Sequence, residues 1–414
     1  MTPAPSPEER AFGESLHGAL VAAGPFPWPL SDIAGRADSP AHDSVLTASD
    51  RASRVPPTPG GSGPGRSRPG DFGLGYPGPG DARPGGSGPG GSAPGEGVCS
   101  VKADAGPGAV WAVLARLGVT GLAVPERFGG AGASVGALVV AAEELGHHAA
   151  PGPVAESLAA VPVLLAGCGN DEVAATWLPE LAAGRVLAGL TAPPWLPRAV
   201  HGGTAGIVVV AGTDVVRWGR AGSAYTSMDS SRLLAEVSPA GVVAEGPALV
   251  PVIARALDLG ALVCAAQLLG LGRGMLEASV EHARNRSQFG GPIGRFQAVQ
   301  HRLADVSVAL QFARPLLWAA AAAMGPSERD RSAGLSPGTA DGGTVARDVS
   351  AAKVACGEAA RLAARVALQT HGAIGCTREH GLGRWLTAAR VLALSWGTPA
   401  QHRARIMTEL ARER

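Results

Sequence analysis

The sequence has few aromatic residues, no excess of one charge and no close pair of cysteines. Only 4% of its 414 residues are aromatic, and 35 Lys and Arg stand against 34 Asp and Glu. A chain so nearly neutral offers no strong field to nucleic acid or to an anionic membrane surface. Scarce aromatic rings also provide few platforms for stacking bases. We therefore expect no nucleic-acid partner.

The cysteine pattern argues against a disulfide framework and a metal-binding motif. Five cysteines are spread along the chain with no metal-ligand spacing, which is typical of free thiols in a reducing compartment: Cys99, Cys168, Cys264, Cys356 and Cys376. The first ten residues are polar and rich in proline, and they lack the basic and apolar regions of a secretion signal. These features predict a cytoplasmic protein without a bound metal.

One apolar run is long enough to raise the question of a membrane span. It extends from Ile253 to Gly272, but Arg255 and Asp258 interrupt it. It continues as an amphipathic pattern, so we interpret it as a buried helix of a bundle and expect no membrane span.

Glycine and proline are concentrated in one segment. Residues 56–97 consist mostly of Gly, Pro, Ser, Arg and Asp, with almost no aliphatic residue. Such a composition cannot bury enough apolar surface to offset the entropy of ordering. We predict a disordered insert over about residues 36–107, whose function the composition does not indicate.

The remaining patterns predict a mostly α protein with a small β unit in its middle. A first helix is expected over Ser6–Ala23, with Ser6 as N-cap. Further helices follow the period of 3.6 residues: Val110–Leu117, Ala133–Gly146, Val154–Ala166, Asp171–Ala183, Leu249–Ala283, Gly294–Ala323, Thr344–Thr370, Arg378–Leu394 and Pro399–Arg412. Short β-branched runs between Val186 and Pro247 predict a small antiparallel unit. We therefore expect a helical N-terminal domain (1–185), a reduced β domain (186–247) and a C-terminal helical bundle (248–414).

The segment from Arg284 to Asp305 lies between two of these long helices. It contains four arginines, a turn and three glutamines. Guanidinium groups and a fresh helix N-terminus both favour anions, so the segment is suited to a phosphate-bearing cofactor. On residue types alone, Phe289 and Phe296 are equally typical of a hydrophobic core, and Gln297 of an exposed helix surface.

Several motifs resemble those of the acyl-CoA dehydrogenase family. The stretch Arg286–Gln297 (RSQFGGPIGRFQ) is similar to the family's flavin loop, and Gln369–Gly375 (QTHGAIG) to its second flavin motif, with Ala373 in place of one Gly. Leu122–Gly130 and Glu143–Gly146 resemble the family's N-terminal motifs. These matches span most of residues 109–405, and the Gly/Pro-rich insert lies outside them.

The resemblance implies FAD as cofactor and an oligomer, because the second motif of the family reaches the FAD of a neighbouring subunit. It implies that Arg286, Gln288, Phe289, Ile293, Phe296 and Gln297 face one FAD. It implies that Gln369, His371, Gly372 and Gly375 face the FAD of the partner. Thr191, in the middle region, and Thr398 are further candidates for flavin contact.

The catalytic carboxylate of the family is missing from both positions where the resemblance places it. Trp396 precedes the Gly397-Thr398 pair, where many members have Glu, and Gly260 occupies the alternative position with Ala261 beside it. Neither an indole nor a glycine can accept a proton. Glu379 matches a family position that concerns helix packing. The catalytic residues therefore stay unknown.

Two functions follow from the resemblance. The first is an FAD-binding subunit of an acyl-CoA dehydrogenase in lipid metabolism, which acts on CH–CH groups of acyl-CoA thioesters with a homologous, complete subunit and an electron acceptor. The second is a homo-oligomeric flavoenzyme that uses an unrecognised base. A non-catalytic structural or FAD-binding partner is a third reading. The acyl or steroid substrate and the stoichiometry stay open.

Overall fold

A computed structural model describes residues 4–24, 107–325, 342–377 and 380–412. The predicted insert at Pro56–Gly97 lies outside the described residues, and so does Glu379. All described residues fall in one compact unit.

The N-terminal part is helical, as predicted. Its helices are α1 (Pro7–Ala22), α2 (Pro107–Arg116), α3 (Val135–His147), α4 (Val161–Gly167) and α5 (Asp171–Ala182). A π-helical turn, Glu156–Ala160, leads directly into α4. The segment between α2 and α3 contains two short 3-10 turns, Val119–Gly121 and Glu126–Phe128.

Helix α1 begins where the sequence predicts and is fastened to α3. The Ser6 hydroxyl accepts from the Glu9 N–H, and the Glu9 carboxylate accepts from the Ser6 N–H, which forms a capping box. The Ser134 hydroxyl, at the N-cap of α3, donates to Glu9 Oε1 over 2.7 Å. One glutamate thus links the first turns of the two helices.

The middle part is a small five-stranded sheet, which confirms the predicted β unit, but the expectation that the unit is antiparallel is wrong for one strand pair, β1 and β3. The strands are β1 (Ala188–Thr191), β2 (Ala199–Val200), β3 (Ile207–Ala211), β4 (Val215–Thr226) and β5 (Leu233–Glu245), in the order β1-β3-β4-β5-β2. Strands β1 and β3 pair in parallel and are almost wholly buried, whereas β4 and β5 form a long antiparallel hairpin. The buried parallel pair lacks the alternation of a half-exposed strand, so its direction was not readable.

The C-terminal part is a bundle of long helices, as predicted. They are α6 (Leu249–Asn285), α7 (Gln297–Ala323), α8 (Gly342–His371), α9 (Leu382–Leu394) and α10 (Pro399–Arg412). Helix α6 is the core of the bundle, because an unbroken run from Asp258 to Gly272 is buried. The family-like order of helical, β and helical parts is therefore present, while the three-domain division stays a prediction.

A cluster of charges joins the N-terminal helices to the bundle. Glu143 and Glu144 of α3 are buried, and the Arg273 guanidinium of α6 donates to both, at 3.0 and 2.7 Å. Arg314 of α7 donates to the same Glu143 carboxylate. Three elements from separate parts of the chain thus share one ionic network.

Two helices are long and apolar enough to cross a membrane by length and composition alone: α6 and α7. In the fold, 67% of the most apolar window of α6 is buried, against 39% for α7. Core helices of a bundle pass the same test, and α6 occupies such a core position.

Helix α7 carries an exposed apolar stripe. Val308, Phe312 and Leu316 recur every four residues and therefore lie on one face. The Phe312 side chain is 77% exposed. A stripe of this kind is typical of a surface that meets another subunit.

Candidate functional site

The flavin-like loop forms a small projecting hairpin after α6. Two short strands, β6 (Ser287–Gln288) and β7 (Gly291–Pro292), pair across Phe289 and Gly290. The Arg295 guanidinium donates to the carbonyls of Phe289 and Gly290, at 2.9 and 3.1 Å, which fixes the turn. Phe289 has φ 51° and is 87% exposed. The hairpin therefore presents an apolar ring outward on a braced backbone.

The loop ends at the open N-terminus of α7. Phe296 is the N-cap and supplies no side-chain cap, so the first N–H groups of a 27-residue helix face outward. Arg286, Gln288 and Gln297 are exposed and make no side-chain hydrogen bond within the described residues. Ile293 is half-buried beside them in a 3-10 turn.

These groups have the chemistry that FAD requires. A guanidinium and helix N–H groups suit a pyrophosphate, amides suit ribose or flavin polar atoms, and the Phe289 ring suits an aromatic face. The donor set on this loop therefore fits FAD.

The second predicted motif lies at the end of α8 and close to the first. His371 is buried, its ring stacks on His282 of α6 at 4.4 Å, and its Nδ1 lies 2.8 Å from the Ala367 carbonyl oxygen. Gln369 and Gly372 are exposed, with Gly372 at φ 66°, and Gly375 is buried in a 3-10 turn. Because Arg286 follows His282 by one helical turn, both motifs lie at the same end of α6.

The two positions that resemble the family's base positions are in direct contact. Trp396 is 2% exposed and has φ 57°. Its six-membered ring lies where a Cβ on Gly260 would project, so any larger residue at 260 would overlap the indole. The space between these two positions is therefore filled by one tryptophan side chain.

A buried histidine holds the backbone of Trp396. His402 Nε2 is 2.8 Å from the Trp396 carbonyl oxygen, and His402 Nδ1 is 3.1 Å from Ser350 Oγ. Since a carbonyl only accepts, Nε2 carries the proton and the Ser350 hydroxyl donates to Nδ1. Burial lowers the pKa of His402 to about 4, so the ring is neutral at neutral pH.

A second tryptophan closes the same region from the sheet side. Trp195 follows β1 and packs edge-on against His402, with ring centroids 5.1 Å apart. It also covers Gly397, where φ is 89° and a Cβ would overlap the Trp195 ring. The tryptophans at 195 and 396 together occupy the junction between the sheet and the last helices.

The acidic residue nearest to Gly260 in sequence is already paired. Asp258 is buried, and Arg405 of α10 binds both of its carboxylate oxygens. The Arg405 guanidinium lies 5.6 Å from the centre of the Trp195 ring. This ion pair joins α6 to α10, so Asp258 has a structural partner.

A second buried carboxyl group, which sequence reasoning missed, lies beside Trp396. Glu156 is buried at the start of the π-helical turn, and burial raises the pKa of its carboxyl group. The Arg232 charge and a hydrogen bond with the Trp396 indole oppose that rise. The available signal was a single glutamate within the apolar helix predicted over Val154–Ala166. π-turns of this kind are frequent at functional sites.

The two predicted threonines have different surroundings. Thr191 is buried at the end of β1. Thr398 caps α10 with Gln401: the Thr398 N–H donates to Gln401 Oε1 at 2.7 Å, and Gln401 N–H donates back to Thr398 Oγ1 at 3.3 Å. The capping role accounts for Thr398 without a cofactor, and flavin contact by either threonine stays a prediction.

The helical parts and the flavin-like loop define a flavoprotein of the acyl-CoA dehydrogenase type, and comparison with known proteins supports this class. The N-terminal domain of acyl-CoA dehydrogenases matches residues 98–185, and the C-terminal domain of acyl-CoA dehydrogenases matches residues 250–411. The sheet lies between these two matches.

Individual relatives agree. The chain is 31% identical over 305 residues to the acyl-CoA dehydrogenase IpdE2 of Mycobacterium tuberculosis, covering 73% of this chain and 86% of that protein. A glutaryl-CoA dehydrogenase from Mycobacterium smegmatis in complex with FADH2 has a TM-score of 0.61 at 19% identity, covering 74% and 87% of the two chains. The Tcur3481-Tcur3483 steroid ACAD G363A variant also has a TM-score of 0.61, at 24% identity over 74% and 89%.

The chain belongs to the acyl-CoA dehydrogenase family. It is by family an FAD-dependent oxidoreductase of lipid metabolism, and FAD is its cofactor.

Proposed function

We propose that this chain is an FAD-binding acyl-CoA dehydrogenase subunit that lacks its own catalytic base and works with a homologous subunit that has one. The observation that carries the proposal is the contact between Trp396 and Gly260. Both positions that resemble the family's base positions lack a proton acceptor, and the indole fills the space between them.

The cofactor side of the site supports the same proposal. The side chains of Arg286 and Gln288 make no hydrogen bond within the described part of the chain, and with the N-terminus of α7, which has no side-chain cap, they fit a pyrophosphate. When FAD is bound, the flavin supplies the hydride acceptor. The residues of this chain then bind and orient it, while the proton is removed from the thioester by a group of the other subunit.

Partner and location are part of the proposal. The exposed stripe on α7 offers a surface for a homologous subunit, and one structural relative carries a double designation, Tcur3481-Tcur3483. The four cysteines within the described residues are all free thiols, which suits a reducing cytoplasm. Acyl-CoA is the proposed substrate, with a separate protein or small molecule as electron acceptor.

The test compares the chain alone with the chain produced together with a homologue encoded beside it. We expect FAD absorbance and acyl-CoA oxidation in the co-purified complex, and no acyl-CoA oxidation by the lone chain. Acyl-CoA oxidation by the purified lone chain would contradict the proposal. A complex that binds FAD but does not oxidise acyl-CoA would contradict the catalytic proposal and would favour a non-catalytic, FAD-binding role for this chain.

Glu156 supports a second candidate, a homo-oligomeric flavoenzyme with its own base. It is a buried carboxyl group with a raised pKa, and such groups are common among general bases. If the lone chain is active, Glu156→Gln should lower kcat by about 10²–10⁴. Glu281→Gln, on an exposed position of α6, is the matched control. Equal activity of the two variants would exclude Glu156 as base.

A further inference from the structure

A group of imidazoles and one carboxylate lies between α1 and the end of α3, away along the chain from the predicted flavin motifs. It consists of His17 on α1, Glu144 and His147 on α3, and His148 directly after α3. These residues border or adjoin a cleft of about 470 Å³ that is also lined by Arg273, Glu277 and Arg314. Nothing in the proposed flavin chemistry uses this group.

The spacing of its ligand atoms is close to that of a metal site. One ligand atom from each residue lies within 4.8 Å of all the others. His17 Nδ1 is 3.0 Å from Glu144 Oε2 and 3.2 Å from His148 Nε2. Ligands at about 2.0–2.1 Å from a tetrahedral zinc ion are about 3.3 Å apart, so the two short pairs already have this separation.

The ring nitrogens of His147 give a second, independent indication of a metal site. The residue is only 9% exposed, and its buried Nδ1 has no hydrogen-bond partner among the residues that the structure describes. Its other nitrogen, Nε2, lies 2.8 Å from Glu277 Oε2. An imidazole that is held by a carboxylate through one nitrogen, with the other nitrogen unused, is the usual arrangement of a metal-binding histidine.

The charges around the group allow a cation. Four glutamates line the cleft against three arginines, so the lining is net negative when the histidines are neutral. Arg273 is the opposing charge nearest to Glu144, but it binds Oε1 and leaves Oε2 to face His17.

We propose that His17, Glu144, His147 and His148 bind one divalent cation of the zinc type, with Glu277 positioning His147. Three imidazoles and one carboxylate are ligands that suit Zn²⁺ and exclude Ca²⁺ or Mg²⁺, which prefer oxygen. The ion joins α1 to α3 at the opposite end from the Glu9–Ser134 contact. The site stands independently of the proposed flavin function.

A second histidine group must be distinguished from this one. His282, His371 and His380 also bring three ligand atoms within 4.8 Å, at the end of α6. That group includes a residue of the predicted flavin motif and has no carboxylate, and its His371 Nδ1 is already engaged by Ala367 O. It serves as the built-in comparison for the test.

The test is calorimetric titration of the metal-stripped, tag-free full chain with Zn²⁺, and with Co²⁺ as a spectroscopic probe of tetrahedral nitrogen and oxygen ligands. We expect one tight equivalent per chain. His17→Ala and His148→Ala should each weaken binding at least about 10-fold, and Glu277→Gln by about 10- to 100-fold. His301→Ala, on the exposed surface of α7, and His282→Ala should leave the tight equivalent unchanged.

Three results would overturn the proposal: no saturable Zn²⁺ binding, equal binding by His17→Ala and the wild type, or loss of binding in His282→Ala alone. If His17→Ala does not fold, the proposal can still be tested on the wild-type chain by chemical labelling. Zn²⁺ should then protect His17 and His148, but not His301, from acylation by diethylpyrocarbonate. Equal labelling of all three histidines with and without Zn²⁺ would also overturn it.

Discussion

The hairpin at Arg286–Gln297 and the space between positions 396 and 260, which the Trp396 indole fills and which we call the Trp396 pocket, lie on the same bundle. They differ in how much of their surface is accessible to a ligand. The hairpin presents the exposed Phe289 ring, the exposed Arg286 guanidinium and a helix end without a side-chain cap. In the Trp396 pocket the indole packs on Gly260, His402 donates to the Trp396 carbonyl oxygen, and Arg405 binds Asp258. The predicted cofactor loop is thus open to a ligand, whereas the two positions that resemble the family's base positions are filled by packed side chains.

The largest effect is expected from emptying the pocket. Trp396→Ala should lower the free energy of unfolding by about 3–5 kcal/mol, because it removes a buried indole and leaves a cavity. Urea titration measures this, with Leu394→Ala, at a half-exposed position, as control. If Trp396 fills the pocket as described, Gly260→Ala should be destabilising in the wild type and nearly harmless in Trp396→Ala. Equal costs in both backgrounds would contradict the contact.

The next effect concerns the histidine that holds Trp396. The pKa of His402 falls from 6.5 to about 4 on folding, so its neutral ring contributes stability above pH 6.5 that is lost as the pH falls toward about 4. By this shift, the stability gap between wild type and His402→Gln should narrow by on the order of 3 kcal/mol over that window. Urea titrations at several pH values measure the gap. For the exposed control His301→Gln it should stay constant, and a constant gap for both would refute the pKa assignment.

A smaller effect is expected in the hairpin, where a substitution should weaken FAD binding. Arg286→Ala should raise the dissociation constant for FAD about 10- to 100-fold, since a charge-assisted hydrogen bond contributes about 1.5–3 kcal/mol. Flavin absorbance after desalting of the complex measures retention. Arg116→Ala, exposed at the end of α2 and outside both predicted flavin motifs, is the matched control. If both variants keep FAD equally, Arg286 is not a cofactor ligand.

No change in activity is expected from placing a carboxylate at position 396. Trp396→Glu should not create turnover in the lone chain, although a positioned base is worth about 10²–10⁴ in rate. The new carboxyl group would stand beside buried Glu156, and neighbouring carboxyl groups raise each other's pKa. Ala261 also remains where the family usually has an arginine. Measurable acyl-CoA oxidation by Trp396→Glu but not by Trp396→Phe would contradict this prediction. It would show that a single carboxylate at position 396 is enough to make the lone chain active.

Sequence patterns predicted the helices well because apolar residues recur along them with helical spacing. The runs that became α6 and α10 were placed to within two residues at each end. The sheet was harder. Strands β4 and β5 extend through Gly, Ser, Arg and Pro, which have weak β preference, and only their Val-rich ends were recognised.

The site was predictable where it depends on an ordered motif and not where it depends on distant contacts. Trp396 and Gly260 are well over a hundred positions apart, so their contact could not be read from spacing. Glu156 was hidden because a single carboxyl group in an apolar helix usually faces solvent. The expectation of no metal considered cysteines, whereas the proposed site combines His17 with residues of α3 that follow the long insert.

The network of Glu143, Arg273 and Arg314 bears on how this protein can be dissected. Removing everything before α6 would leave both guanidiniums on the bundle without their shared carboxylate, next to an apolar surface that α3 normally covers. Cutting the chain at the boundaries suggested by composition should therefore yield insoluble fragments. Chimeras that exchange the N-terminal part with a relative should fold only when Glu143 and Glu144 are kept together with Arg273 and Arg314.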